Sequence, residues 1–288
     1  MFDNKPVSII VPAFNEEANI GALLNNLLAA VKAAGLAFEV IVVDDGSIDR
    51  TAEIAGQAGV KVVKQDRNRG YGSALKAGIS QAQFDIILIV DADGTYPVQK
   101  IPELAALIGD YDMAVGARVG NHVKIPLLRR PAKWLLNKYA NFLVKEKIPD
   151  LNSGLRAFKK DVFEKFRGLM PEGYSFTTTI TLAFLSNNCR VKYLPIDYYK
   201  RGGRSKIKPI RDTINFFSLV TRTSLYFNPL RVFMPIAFFS LAIGAILLGY
   251  DVFFQENITD KTILIIFWGM QFGLIGLLAD VISRQRRF

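Results

Sequence analysis

Short apolar runs alternate with helical patterns along the first third of the chain. The runs are rich in β-branched residues and predict strands at residues 7–11, 38–43, 60–63, 86–90 and 113–116. Between them, apolar residues at spacings of three and four predict helices over residues 20–31, from about residue 51, over residues 70–82 and over residues 98–108. Such alternation is typical of β-α-β units, so we predict an α/β fold with a mostly parallel sheet.

Beyond residue 120 the apolar positions are interleaved with basic ones. Two stretches, residues 127–145 and 207–227, combine a helical apolar spacing with many Lys and Arg residues. This pattern is typical of helices that lie on a membrane surface and extend their basic side chains to the headgroups. An ordinary amphipathic helix packed on the sheet is the alternative for both stretches.

Two long stretches near the end of the chain, residues 232–250 and 262–279, carry no charge. Each is about as long as a helix needs to cross a bilayer, so we predict a two-span membrane hairpin with helices at about residues 231–251 and 262–282. Basic residues flank the hairpin on both sides, which predicts that both chain ends are cytoplasmic. The alternative is a hairpin in a soluble core. The predicted divisions are a globular domain, an interfacial helix, the hairpin and a basic tail, at residues 1–206, 207–229, 230–283 and 284–288.

Charge is distributed as unevenly as hydrophobicity, because residues 1–120 carry a net charge of −5 and the remainder carries +15. The basic part contains the hairpin, so phospholipid headgroups and a lipid phosphate are simpler partners than nucleic acid. The single cysteine, Cys189, excludes an internal disulfide and suits a cytosolic domain. The single histidine, His122, is expected in a loop rather than at a metal or as a catalytic base.

Two carboxylates follow directly on the most apolar predicted strand. Asp91 and Asp93 come after the run at residues 86–90, where a buried strand of a parallel sheet would end. Like charges this close are unfavourable unless a hard cation such as Mg²⁺ neutralises them. These residues therefore predict a metal site that holds a phosphate-bearing ligand. A simple turn, from the strand to the helix near Val98, is the alternative.

Asp44 and Asp45 close another predicted strand in the same way. Because parallel strands end at one edge of the sheet, the four carboxylates are expected to converge on one ligand. A sugar nucleotide fits, since its base and ribose could bind the first pair while its diphosphate needs the cation of the second. A turn at Asp45-Gly46 is the alternative. The chain has neither a Gly-x-Gly-x-x-Gly sequence after the first strand nor a Walker A loop, which leaves dehydrogenases and P-loop enzymes unsupported.

An ordered set of short motifs resembles family 2 glycosyltransferases of the GT-A fold. The set spans residues 6 to about 206 and comprises Pro12-Ala13-Phe14-Asn15-Glu16-Glu17, Val43-Asp44-Asp45-Gly46-Ser47, Asn68-Arg69-Gly70, Asp91-Ala92-Asp93 and Gly116-Ala117-Arg118. Two later segments, residues 150–156 and 199–206, resemble the polyprenyl-phosphate branch, which includes dolichol-phosphate mannose synthases and undecaprenyl-phosphate glycosyltransferases.

The resemblance implies a role for each matching residue. Nucleotide-sugar binding is implied for Pro12, Ala13, Glu16, Val43, Asp44, Asp45, Asp91 and Ala92. A Mg²⁺ or Mn²⁺ ion would be held by Asp91, Asp93 and Thr95. Donor or acceptor phosphates would be met by Arg118, Arg201 and Lys206, and the acceptor phosphate by Arg129, Arg130 and Ser153. For Arg118 a structural ion pair is the alternative, and for residues 201–206 a basic loop facing the membrane.

One position departs from the mannose synthase pattern. Those enzymes usually have Gln two residues after the second Asp of the metal motif, where this chain has Thr95. The sugar is therefore left open between GDP-mannose and UDP-glucose types of donor.

The predicted activity is inverting transfer of a hexose from a nucleotide-diphosphate sugar to dolichyl or undecaprenyl phosphate. One alternative is a processive polysaccharide synthase, although the chain lacks the Gln-x-x-Arg-Trp motif and extra spans of that group. Another is a non-catalytic membrane scaffold that binds sugar nucleotides. The hairpin contains five glycines, whose small size allows helices to pack closely: Gly244, Gly249, Gly269, Gly273 and Gly276. They predict either a homo-oligomer that associates through the hairpin or close packing of the two helices of one chain on each other.

Overall fold

The computed structural model describes residues 5–119, 138–199, 209–255 and 257–285. Within these residues, seven strands form one sheet in the order β3-β2-β1-β4-β6-β5-β7. The strands are β1 Val7–Ala13, β2 Phe38–Asp44, β3 Lys61–Lys64, β4 Ile86–Ile89, β5 Met113–Arg118, β6 Arg156–Lys159 and β7 Val191–Ile196. Neighbouring strands are parallel except for β6, which is antiparallel to both β4 and β5.

The helices connect the strands and then continue beyond the sheet. In the sheet domain they are α1 Ile20–Ala33, α2 Thr51–Gln57, α3 Tyr71–Ser80, α4 Ile101–Ala106, α5 with its described part at residues 138–144, α6 Lys160–Glu164 and α7 Phe176–Ser186. Beyond it are α8 Pro209–Phe227, α9 Leu230–Tyr250 and α10 Asp260–Gln285.

Both faces of the sheet are buried, which explains why its central strands are continuously apolar. Every residue of β1 and of β4 is buried. Side chains alternate between the faces along each strand, so Ile9 joins one core with α1 while Ile10 joins the other with α3 and α7. A parallel sheet covered on both faces in this way leaves its strand ends as the accessible edge.

A third, smaller core holds the domain against the helices that follow it. Leu143 and Val144 of α5 pack with Leu182 of α7 and Val220 of α8. In the described part of the stretch at residues 127–145, Leu143 and Val144 therefore pack on protein, whereas Phe142 is exposed. A position at the membrane surface stays a prediction for α8, and the rest of the first stretch lies outside the described residues.

The two apolar helices form an antiparallel hairpin whose outer surface is exposed. Two segments, Leu230–Gln255 and Asp260–Ser283, are long and apolar enough to cross a membrane, and only 11% and 17% of their most apolar windows is buried. Low burial of such apolar surface argues against the soluble-core alternative. Three glycines lie between α9 and α10, because an added Cβ would come within 3 Å of the other helix at Gly244, Gly269 and Gly276.

Candidate active site

The carboxyl ends of β1 and β2 lie side by side at one edge of the sheet. Pro12 pairs with Val43 and Ala13 pairs with Asp44 in the parallel register. The sheet therefore brings these four predicted nucleotide-binding residues together at one edge. Asp44 is 4% exposed, so its carboxylate lies at the floor of the edge rather than in open solvent.

The loops after β1 and β2 are tied to each other by hydrogen bonds. The Asn15 backbone N–H donates to Ser47 Oγ over 2.9 Å, and the Ile48 N–H donates to Asn15 Oδ1 over 3.0 Å. The Glu16 N–H donates to Thr51 Oγ1 over 2.8 Å. These contacts orient Glu16 beside the end of β2, where the motif resemblance implies a nucleotide.

The two aspartates that close β2 have different surroundings. Asp45 accepts the backbone N–H groups of Arg69 and Gly70 over 2.8 and 2.9 Å, one on each carboxylate oxygen. Asp44 Oδ1 accepts the Ser47 N–H over 3.2 Å, whereas its Oδ2 accepts no hydrogen bond from the described residues. Asp45 thus holds the loop before α3, and Asp44 retains an acceptor for a ligand.

Asp91 lies at the end of β4 in a close-fitting setting. Its Oδ1 accepts the Tyr71 hydroxyl over 2.7 Å. A Cβ at Gly154 would approach Asp91 Oδ2 to 2.2 Å, so only glycine fits there. Asp93 is oriented differently: its Oδ1 accepts the Thr95 hydroxyl over 2.6 Å and the Thr95 N–H over 3.2 Å.

The electrostatics of Asp91 fit a cation site. Burial, followed by the charge of Asp93, raises the pKa of Asp91 to about 6, against the opposing effects of the Tyr71 hydrogen bond, Arg118 and Arg156. Burial and the Asp91 charge also raise the pKa of Tyr71 far above its ordinary value, so its hydroxyl remains a donor. Asp91 is therefore largely ionised at neutral pH, at a free-energy cost that a cation would relieve.

Two carboxylates are a fitting protein contribution to a magnesium or manganese site. Among the described residues, no three His, Cys, Asp or Glu side chains form a complete ligand cluster. Mg²⁺ usually binds one or two carboxylates and completes its shell with water and substrate phosphate oxygens. The donor set of Asp91 and Asp93 thus fits a cation that arrives with a diphosphate. Thr95 is 1% exposed and bound to Asp93, and its role as a ligand stays a prediction.

Arg118 forms the ion pair that the sequence left open as an alternative. Its Nε and Nη2 donate to the two oxygens of Asp150 over 2.6 and 2.9 Å, and its guanidinium lies 5.1 Å from the centre of the Tyr198 ring. Burial disfavours the charge, but the Asp150 hydrogen bond and the electrostatic effects of Tyr96, Asp150 and Tyr198 together outweigh burial and raise the pKa of Arg118. Nη1 makes no hydrogen bond to a described residue, so the pair still offers a donor to a phosphate.

A second guanidinium, that of Arg156, is completely buried beneath the site. It donates to the Ser153 carbonyl, to the Thr177 carbonyl over 2.9 Å and to Thr181 Oγ1 over 2.9 Å. Burial lowers the pKa of Arg156. Ser153, predicted to meet the acceptor phosphate, is also buried, and its Oγ accepts the Leu155 N–H over 3.4 Å. Of the segment from Ser153 to Arg156, Gly154 is the residue that packs directly against Asp91.

Four residues of the site have no role that the sequence motifs imply. Gly154 and Arg156 stand inside the motif at residues 150–156, which was their only signal. Tyr71 and Tyr96 had none; Tyr96 accepts the Gly154 N–H over 2.7 Å. The exposed ring of Tyr174 stacks on Tyr71 at 5.8 Å between centres, which adds an aromatic wall near Asp91. Outside the described residues lie Arg129, Arg130, Arg201 and Lys206, whose phosphate-binding roles stay predictions.

Comparison with known proteins identifies the family of the chain. The model of glycosyl transferase family 2 matches residues 8–167, more than half of the chain. The chain belongs to glycosyltransferase family 2. A second model, described as the GtrB C-terminal hairpin, matches residues 228–285 and therefore covers α9 and α10. Both the family expected from the motifs and the expected hairpin are confirmed.

Curated relatives in the family act on polyprenyl phosphates. The undecaprenyl-phosphate 4-deoxy-4-formamido-L-arabinose transferase of Photorhabdus laumondii subsp. laumondii is 31% identical over 97% of this chain and 89% of its own length. The dolichyl-phosphate hexose transferase of Haloferax volcanii is 30% identical over 70% of this chain and 87% of its own length. These relatives confirm the resemblance to the polyprenyl-phosphate branch.

Solved structures confirm the GT-A fold. Glucosyl-3-phosphoglycerate synthase from Mycobacterium tuberculosis, crystallised with Mn²⁺, UDP and phosphoglyceric acid, superimposes with a TM-score of 0.62 at 18% identity. The match covers 76% of this chain and 78% of that protein. At this identity the likeness concerns the fold alone.

Proposed function

We propose that this protein transfers a hexose from a nucleoside-diphosphate sugar to the phosphate of a long-chain polyprenol. The observation that carries the proposal is that Asp44, Asp91 and Asp93 lie at one edge of the sheet, at the ends of strands β2 and β4 on either side of β1, in a chain that also has an apolar hairpin. Carboxylates at such an edge suit a sugar nucleotide, and the hairpin suits an acceptor that stays in the bilayer.

The donor would lie across the ends of β1, β2 and β4. Asp44 Oδ2 is available to accept an N–H of the base or a ribose hydroxyl, and Glu16 lies on the adjoining loop. Asp91 and Asp93 would hold Mg²⁺ or Mn²⁺, which when bound neutralises the diphosphate as it departs. Tyr71 and Thr95 keep the two carboxylates oriented through hydrogen bonds of 2.7 and 2.6 Å.

The transfer needs no protein base. A phosphate monoester has a second pKa of about 6, so the acceptor is largely dianionic at neutral pH. One of its oxygens attacks the anomeric carbon, the bond from that carbon to the donor phosphate breaks, and the electron pair leaves with the nucleoside diphosphate. A single displacement of this kind inverts the anomeric centre. Arg118, through Nη1, would reduce the repulsion between the two anions.

The membrane topology completes the proposal. Both chain ends and the sheet domain would be cytoplasmic, because basic residues flank the hairpin at Arg222 and Arg231 before it and at residues 284–287 after it. The amphipathic helix α8 would lie at the membrane surface. The acceptor phosphate would then reach the site from the same face on which soluble sugar nucleotides are present.

Purified full-length protein in liposomes with a polyprenyl phosphate tests the proposal. We expect labelled hexose from one of GDP-mannose, UDP-glucose or UDP-N-acetylglucosamine to enter the lipid fraction, and the transfer to require Mg²⁺ or Mn²⁺. Asp93→Asn should lower the rate by at least about 10²-fold, on the scale of losing one electrostatic group. Asp110→Asn, an exposed carboxylate, is the matched control. Absence of transfer with every donor would overturn the proposal.

A further inference from the structure

Tyr174 presents an aromatic ring to solvent beside the candidate metal site. The residue is 84% exposed, and its ring stacks on the ring of Tyr71 with 5.8 Å between the centres and 19° between the planes. The hydroxyl of Tyr71 in turn donates to Asp91 Oδ1 over 2.7 Å. The ring of Tyr174 is therefore separated by a single aromatic side chain from a carboxylate of the candidate metal site.

The loop that carries Tyr174 is fixed to the start of α3. The Ser73 backbone N–H donates to the Glu172 carbonyl over 3.0 Å. A Cβ at Gly72 would approach the Pro171 carbonyl oxygen to 2.1 Å, so glycine allows the loop to lie directly on the helix. Phe176, two residues after Tyr174, is completely buried. The loop is thus held in place before a ligand binds, and a ligand that contacts the ring does not have to order it.

The start of α3 connects this loop to two strand ends. Just before the helix, the backbone N–H groups of Arg69 and Gly70 donate to Asp45, which follows β2. At the first residue of the helix, Tyr71 binds Asp91, which follows β4. Tyr174 therefore stacks on the segment that joins the end of β2 to the end of β4, across which the donor is proposed to lie.

We propose that the ring of Tyr174 packs against the hexose of the donor and positions it for transfer. This inference rests on the proposed function, because it takes the donor diphosphate to be bound at Asp91 and Asp93. The hexose is bonded directly to that diphosphate and must therefore lie close to both carboxylates. A hexose ring presents C–H groups with a partial positive charge, and the face of an aromatic ring is negative, so the two surfaces are complementary.

The isoprenoid chain of the acceptor is the competing occupant of this surface. It is separated from the anomeric carbon by the acceptor phosphate, whereas the hexose contains that carbon. The hexose is thus the apolar surface nearest to the bound diphosphate. A contact with the hexose affects the affinity for the sugar nucleotide and leaves the affinities for the nucleoside diphosphate and for the acceptor unchanged.

Binding to full-length protein in detergent with Mn²⁺ tests the contact by calorimetry. The probes are GDP-mannose, UDP-glucose and UDP-N-acetylglucosamine, each compared with its own nucleoside diphosphate. We expect Tyr174→Ala to weaken binding of the preferred sugar nucleotide by about 3- to 10-fold, on the scale of an aromatic contact, with no change for the nucleoside diphosphate. Tyr174→Phe should bind like wild type because it keeps the ring.

Two further variants separate a ring contact from other effects. Tyr174→Leu keeps an apolar side chain without an aromatic face, so its affinity for the sugar nucleotide should be closer to that of Tyr174→Ala than to wild type. Tyr111→Ala is the matched control, since Tyr111 precedes β5 and lies at the opposite edge of the sheet. It should leave both affinities unchanged.

A purely structural role of Tyr174 gives a different result. If the ring only supported Tyr71, its loss would displace Asp91, so the nucleoside diphosphate would bind more weakly by the same factor as the sugar nucleotide and more Mn²⁺ would be required. That result would overturn the inference. An unchanged affinity of Tyr174→Ala for the sugar nucleotide would also overturn it, as would a higher KM for polyprenyl phosphate with an unchanged KM for the donor.

Hexosyl transfer by the same proteins in liposomes separates this inference from the proposed function. Wild-type protein that binds a sugar nucleotide through Tyr174 but transfers no hexose would contradict the proposed function and support the contact. Transfer by Tyr174→Ala with the wild-type KM for the donor would contradict the contact and support the proposed function.

Discussion

Replacing Asp91 by asparagine should stabilise the metal-free protein at neutral pH while abolishing its activity. The pKa of Asp91 in the folded protein is raised from 3.8 to about 6 by burial and by Asp93. A raised pKa of a carboxyl group means that the folded state binds the proton more tightly than the unfolded state. The resulting stabilisation is complete below about pH 4 and is lost as the pH rises through 6.

The magnitude follows from the size of the shift. A difference of about two pKa units corresponds to about 3 kcal/mol between the protonated and ionised forms. Because asparagine is neutral and its Oδ1 can still accept the Tyr71 hydroxyl, Asp91→Asn should recover about 1 to 3 kcal/mol at pH 7.5. For a domain of this size that is a rise in melting temperature of about 2 to 10 °C.

Thermal unfolding in detergent, followed by circular dichroism with a chelator present, measures the effect. The gain in melting temperature of Asp91→Asn over wild type should vanish at pH 4, where Asp91 is protonated in the folded wild-type protein. The gain should also shrink when Mn²⁺ is added, because only the wild-type protein has both carboxylates to bind the cation. Asp112→Asn is the matched control, and it should lower the melting temperature. Burial raises the pKa of Asp112, but the hydrogen bonds from Lys159 and from the Arg190 N–H contribute to a net lowering of that pKa. A chelated Asp91→Asn protein that melts at or below the wild-type temperature would refute the reasoning.

Three further predictions concern the same edge of the sheet. The Mg²⁺ concentration needed for half-maximal transfer should rise as the pH is lowered through about 6, because protons compete with the cation for Asp91; an unchanged Mg²⁺ requirement from pH 8 to 5 would contradict this. Asp44→Asn should raise the KM for the donor by about 5- to 50-fold with little change in melting temperature. Asp45→Ala should instead lower the melting temperature by several degrees, because the backbone N–H groups of Arg69 and Gly70 lose their acceptor. Gly154→Ala should reduce kcat at least about 10-fold, since the new Cβ would lie 2.2 Å from Asp91 Oδ2. An unchanged kcat would show that the sheet edge accommodates the methyl group without displacing Asp91, and would contradict this prediction.

Local pattern predicted the parallel part of the fold well. The five predicted strands are observed as β1 to β5, and the helical spacing located α1, α8, α9 and α10 to within a few residues. Most of these elements have a clear period or a long apolar run, because β1 and β4 are buried on both faces, α1 buries one face, and α9 and α10 expose apolar residues along their length. Strands of this kind end at the sheet edge, which explains why Asp44, Asp91 and Asp93 were found.

The remainder depends on contacts between distant parts of the chain. Strand β6 is only four residues long and inserts antiparallel between β4 and β5, an arrangement that a short apolar run cannot indicate. The roles of Tyr71 and Arg156 also arise from tertiary neighbours, since their partners are Asp91 and the start of α7. Likewise, the difference between Asp44 and Asp45 follows from the loop at Arg69 and Gly70 rather than from either residue.

The most direct test of the account is the mass of the lipid product made by wild-type protein in liposomes with polyprenyl phosphate, Mg²⁺ and the preferred sugar nucleotide. We expect one product, the acceptor with a single hexose joined through its one phosphate and with inverted anomeric configuration. Release of free hexose alone would show that water is the acceptor, and a ladder of longer saccharides would indicate a processive synthase. Either result would contradict the account.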